Sequence, residues 1–270
     1  MARISIFFTA LYALAVSPVF AKQHSTSIEK AVENASVSEC FFLPPKNWEI
    51  ADPRSLSPRV KIAFIKNTGK GLCPSINLAV EQTQVSLSDY LKAVKAIHEQ
   101  DRNNRWRALG KVRTAAGLAQ LTEIDSSSEW GSVRLLQLIL LKSGTAYVLT
   151  AAALKEEFSD FYKEFQSAFR SLTLSTDLLS NVPQLERRET LRAKQKQLIE
   201  GALSSAKDTK TLLNDPLFQK EQWLPFQDTI ISNFSDMGAF WQILLLKDTQ
   251  EKMLASLLPD PPVEGQTENK

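Results

Sequence analysis

Residues 117–150, GLAQLTEIDSSSEWGSVRLLQLILLKSGTAYVLT, read as three consecutive strands joined by two tight turns. In the middle segment, residues 132–142, Val133, Leu135, Gln137, Ile139 and Leu141 share one face, and Arg134, Leu136, Leu138 and Leu140 share the other. A strand covered on both sides needs two apolar faces, although a helix would account for the leucines equally well. The flanks decide for a strand. Residues 126–131 and 142–145 are turn chemistry, each with a glycine where positive φ is needed. Residues 118–125 and 145–153 are then its neighbours, and connections this short make the three an antiparallel meander.

Working outward, residues 59–66 (RVKIAFIK) alternate with Val60, Ile62 and Phe64 on one face, and residues 75–82 (SINLAVEQ) form a further strand. Residues 67–71 turn between them. Residues 39–50 hold a short apolar strand, a break at Pro44-Pro45, and Trp48. Ser86, with Asp89 three residues on, resembles a capping box and opens a helix striped by Leu87, Tyr90, Leu91, Val94 and Ile97. Residues 106–113 lead back into the meander. A second helix, about residues 155–171, lines one face with Phe158, Phe161, Tyr162, Phe165 and Phe169. Antiparallel strands with amphipathic helices against them make an α+β fold.

The order of these pieces resembles the PsbP-like family and its exported bacterial relatives. Phe42-x-x-Pro45-x-x-Trp48, Pro74-Ser75-Ile76-Asn77-Leu78 and Ser86-Leu87-x-x-Tyr90-Leu91 carry the first half of the resemblance. Gly117-Leu118-Ala119, Gln137, Gly144-x-Ala146-Tyr147-x-Leu149-Thr150 and the run from Phe158 to Leu172 carry the second. The resemblance covers about residues 40–174. It implies an antiparallel sheet with helices on both sides, in a family whose members act mostly as accessory, binding or assembly proteins.

Before this domain stands a leader. Arg3, an apolar run over residues 4–16, and Val19-Phe20-Ala21 predict a signal peptide cleaved after Ala21. Residues 22–38 are a polar, flexible lead-in. The address expected is export, in a bacterium the periplasm. Losing Arg3 leaves 31 basic against 30 acidic residues. That balance excludes an electrostatic case for nucleic acid or an anionic membrane, and no later apolar run reaches transmembrane length. Cys40 and Cys73 are the whole cysteine complement and, in an oxidising compartment, the candidate disulfide. Their loop would contribute about 3–4 kcal/mol.

The sheet domain is expected over residues 39–175, an all-helical segment over 176–258 and a disordered tail over 259–270. Residues 183–206 carry an apolar stripe at Leu191, Leu198, Ala202 and Leu203, and Asp215-Pro216 starts a helix. Pro225 should kink or break the chain beyond it. Ser235-Asp236 caps the last helix, which carries Phe240, Trp241 and Ile243 to Leu246.

Catalytic constellations are missing from the pattern. His24 sits in the lead-in, and His98 at a helix end reads as a surface residue favoured there by the helix dipole. Neither histidine has metal-ligand spacing to cysteines or acids, and Gly69-Lys70-Gly71 is a hairpin turn rather than a phosphate loop. No catalytic residue, metal ligand or cofactor is assigned. The candidate partner-binding residues are Trp130 at a turn tip and Phe240 and Trp241, each of which packing would explain as well. The function expected is an exported, soluble, non-catalytic accessory protein that binds an envelope partner. The alternatives are a carrier of a small apolar ligand and a hydrolase with dispersed residues.

Overall fold

The computed structural model describes residues 39–69, 71–204, 212 and 214–256. The leader, the lead-in with its His24, Lys70 and the tail lie outside them. Contacts divide the chain into two units, one ending at Leu174 and one beginning at Ser175.

In the first unit the strands are β1 (Glu39–Phe41), β2 (Glu49–Ile50), β3 (Val60–Ile65), β4 (Ser75–Gln82), β5 (Arg105–Thr114), β6 (Gly117–Ser128), β7 (Gly131–Lys142) and β8 (Thr145–Leu154). Helix α1 (Leu87–Glu99) precedes β5 and α2 (Phe158–Arg170) follows β8; β9 (Thr173–Ser175) pairs with β1. The main sheet has the order β2-β3-β4-β8-β7-β6-β5, every neighbour antiparallel. The meander is therefore present as β6–β7–β8, and β8 joins it to β4. Its second turn is two residues long, with both Ser143 (φ 50°) and Gly144 (φ 73°) left-handed. That is the backbone whose twist matches antiparallel strands.

The two helices cover opposite faces. Tyr90 and Val94 of α1 pack on Ile139, Ala146 and Val148. The Arg134 guanidinium lies 5.9 Å over the Phe158 ring, which places α2 on the face of Arg134, Leu136 and Leu138. There Trp48, Phe158, Phe161 and Phe165 form a ring cluster with centroids 5.2–6.2 Å apart, and Trp48 Nε1 donates to Glu164 Oε2 at 2.9 Å. Edge contacts of this kind add about 0.5–1.5 kcal/mol each beyond area burial.

The outer strand β5 is mostly exposed. It carries Arg105, Arg107, Lys111 and Arg113, and its pairing slips between Ala108 and Gly110, a β-bulge.

Cys40 and Cys73 are not bridged, which corrects the disulfide expectation. Cys40 stands near Tyr147, whose phenol it helps raise after burial. Tyr147 pairs with Val80, whereas Cys73 precedes Ser75 at the other end of β4. Five strand steps separate Val80 from Ser75, about 17 Å, and a disulfide tolerates Cα atoms less than about 7 Å apart. Cys40 is buried and its thiol is pushed well up by that burial, while Cys73 is half-buried. An aromatic disulfide reagent is expected to label Cys73 in the native protein and Cys40 only after denaturation. Zero labelling of the denatured, unreduced protein would restore the bridge.

The second unit is helical: α3 (Leu185–Ser204), α4 (Pro216–Phe218), α5 (Leu224–Asn233) and α6 (Gly238–Ser256). Leu191, Gln195, Leu198 and Ala202 form the buried stripe of α3, and Leu203, expected on it, is exposed. Pro225 does not break the chain. A π-helical turn, Gln219–Trp223, stands immediately before α5, and its wider spacing accommodates a ring that would strike the carbonyl one α-turn back. The last helix starts later than expected, after a 3-10 turn at Ser235–Met237, with Gly238 at φ 80°.

Among the described residues, no helix is long and apolar enough to cross a membrane.

Candidate functional site

The sheet register lines up a polar row under α1: Asn77, Thr150, Gln137 and Thr122 on β4, β8, β7 and β6. Thr122, Gln137 and Thr150 are buried. His98 closes over this row. It continues the Tyr90–Val94 line at a four-residue step, is 0% exposed, and hydrogen-bonds with Gln137. Asn104 Nδ2 donates to the His98 carbonyl at 3.2 Å. The surface reading of His98 is therefore overturned. Burial pulls its pKa down to about 4, and the Gln137 bond opposes that only weakly. At neutral pH this is an uncharged imidazole held by an amide. The middle of this layer is polar, which is not the lining a carrier of an apolar ligand requires.

On the α2 face the sheet carries an ion-pair ladder. Arg107 pairs with Glu123, and Arg134 reaches Glu123 at 3.5 Å and Asp125 at 2.7 Å; Lys155 reaches Asp125 at 2.8 Å. The Arg134 bond, then the Lys155 bond, hold the Asp125 carboxyl down to about 2, against the opposing pull of desolvation. A carboxylate saturated this way is an anchor rather than a proton donor at neutral pH. Among the described residues no cluster of His, Cys, Asp or Glu could hold a metal ion.

Trp130 sits in the β6–β7 turn, half-buried, with its indole against the β3–β4 connection. A Cβ at residue 71 would sit 2.4 Å from its Cδ1, so Gly71 makes room for the ring. Phe240 and Trp241 are 3% and 0% exposed. Trp241 Nε1 donates to the Leu178 carbonyl at 3.0 Å, and its ring lies 5.9 Å from Phe234. Both are packing residues of the helical unit, and neither presents a ring to a partner.

What the helical unit does present is a different set. Leu217, Leu224 and Ile231 are 60%, 46% and 49% exposed. They stand seven residues apart, and Leu224 and Ile231 lie within about 20° of each other on α5. Ile243 of α6 and Leu185 of α3 are exposed as well. Local patterning does not single these residues out, because Leu217, Leu224 and Ile231 each adjoin a buried apolar residue, Phe218, Trp223 and Ile230; their seven-residue recurrence is the available signal.

No protein-family model matches the sequence, and no curated protein is similar to it. Several solved structures are similar in outline. LpqN of Mycobacterium tuberculosis, described as involved in cell envelope biogenesis, shares 14% identity at TM-score 0.40, covering 51% of this chain and 84% of its own. The Synechocystis cyanobacterial PsbP shares 10% at 0.35, covering 58% and 99%, and the Saccharomyces cerevisiae Ran-binding protein Mog1p shares 14% at 0.35, covering 50% and 94%. A PsbP is thus among them. At these scores the likenesses carry no argument about what this chain binds.

Proposed function

We propose that the chain is an exported, non-catalytic accessory protein of the bacterial envelope, whose α+β domain is a rigid frame and whose helical segment engages a protein partner. The observation that carries this reading is the exposed apolar set Leu217, Leu224 and Ile231 on the α4–α5 segment. Large apolar side chains repeated along one helix are the anchors by which a helix docks into a partner's groove. The leader motif in residues 1–21 supports the address, and the saturated carboxylates and amide-bound His98 support the absence of chemistry.

The test is capture from the envelope fraction by the full chain carrying a C-terminal tag, beside L224D/I231D. Both substituted positions are exposed, so the variant should keep its helical circular dichroism. Losing two anchors of about 2 kcal/mol each should reduce recovery of specific partners by well over tenfold. Equal recovery by the variant would overturn the helical-segment reading. The same preparation should begin at Lys22; a retained Met1 would overturn export.

A further inference from the structure

Two buried polar atoms on the α1 face, Trp106 Nε1 and Thr122 Oγ1, meet no hydrogen-bonding partner in the protein, and beside them Gln137 Oε1, which the His98 imidazole engages, keeps a second lone pair. They come from three successive strands, β5, β6 and β7. Thr122 and Gln137 are direct register partners, and Trp106 pairs with Ile124, two residues along from Thr122. Direct partners bring Cβ atoms to about 5 Å and diagonal ones to about 7–8 Å, within reach of an indole. The three groups therefore share one small region beneath the last turn of α1, with the His98 ring as a wall. Thr122 and Gln137 are 0% and 1% exposed, so bulk solvent does not reach them.

Their chemistry is complementary rather than redundant. The indole N–H only donates, the amide oxygen only accepts, and the hydroxyl does either. Turning the Gln137 amide over would bring its nitrogen inward, but it would give up the bond that Nε2 donates to Thr150 Oγ1 and would leave Trp106 Nε1 without an acceptor on that side chain. Buried polar groups in native proteins are paired with protein or with ordered water, and an internal water typically takes about three such bonds. We propose that Trp106, Thr122 and Gln137 form an internal binding site for a water-sized, neutral, hydrogen-bonding ligand, occupied in solution by long-lived water. One molecule there accepts from the indole, donates to the amide oxygen and bonds the hydroxyl. It ties the outer strand β5 to the middle of the sheet.

Thr122→Val tests this in the full chain, because it removes the hydroxyl at nearly constant shape. Two readouts are taken together: the thermal midpoint, and the amplitude of the slow component in water oxygen-17 relaxation dispersion, which counts long-lived internal waters. The site predicts a midpoint lower by about 2–4 °C and a smaller amplitude than wild type. Thr122→Ser, which keeps the hydroxyl, should retain the wild-type amplitude even if its lost methyl lowers the midpoint. An unchanged amplitude in T122V overturns the proposal whatever the midpoint does. A raised midpoint overturns it too, since the hydroxyl would then be a bare burial cost that valine relieves.

Discussion

Acidification from pH 7 to pH 4 is expected to destabilise the α+β unit by up to about 3 kcal/mol, and His98→Gln should remove most of that loss. The cause is the buried imidazole beside Gln137. Its pKa is about 4 in the folded protein, against about 6.5 in an unfolded chain. Between those values the unfolded state binds the proton and the folded state does not. Stability is therefore complete above about pH 6.5 and drains away as pH falls toward 4. The helix dipole works the other way, but a C-terminal position contributes only about 0.3–1 kcal/mol to a cation, less than the burial cost implied by the gap. Asp125 is separable by its window. Its folded pKa of about 2 is depressed, so its contribution is intact above about 4 and is lost only below that. Urea midpoints for wild type and H98Q at pH 8, 6, 5 and 4.5 decide the matter. Parallel curves for the two proteins would show that His98 does not carry the acid sensitivity.

Trp241→Ala is expected to cost the helical unit about 4–5 kcal/mol. Truncating a fully buried indole leaves a cavity, worth about 3–5 kcal/mol for aromatic side chains. It also strands the Leu178 carbonyl that accepts from Nε1, a further cost typical of orphaned buried acceptors. Whole-domain stabilities are about 5–15 kcal/mol, so little is left. Hydrogen exchange of the α6 amides should show lost protection, while W241F, which keeps most of the volume, should lose far less. Protection of residues 238–256 unchanged in W241A would refute the packing role drawn from the burial of this residue.

The legible parts of the fold are those where one local rule operates over many residues. Alternation across β7 and left-handed turn residues at Ser143-Gly144 specify the meander, and the phenylalanine stripe specifies α2. At His98 the helix-end rule, applied alone, points the wrong way. The four-residue step from Val94 places this residue on the inward line. The cysteines cannot be resolved from sequence, since separation along a chain does not encode distance across a sheet. The apolar run at Phe240–Leu246 likewise does not say which side of α6 is covered. Of the buried polar region, Gln137 stands out as a polar residue between Leu135 and Ile139, but its neighbours Thr122 and Trp106 are brought to it by strand register, which lies beyond any local pattern. At Pro225 the breaker rule recognises the strain, and the π turn shows how a chain can dissipate it without ending the helix.

The slip in pairing at Ala108–Gly110 has a consequence for crowded surroundings. A sheet rim is a template on which a second molecule can add its own rim, the first step toward fibrous aggregates. Here an approaching copy would meet a rim whose hydrogen-bonding frame changes phase halfway along. It would also bring a row of like charges, Arg105, Lys111 and Arg113, against its own. Both features disfavour stacking without any sacrifice in the interior. The sheet can thus keep one long rim open to solvent at high local concentration and still remain a finite object.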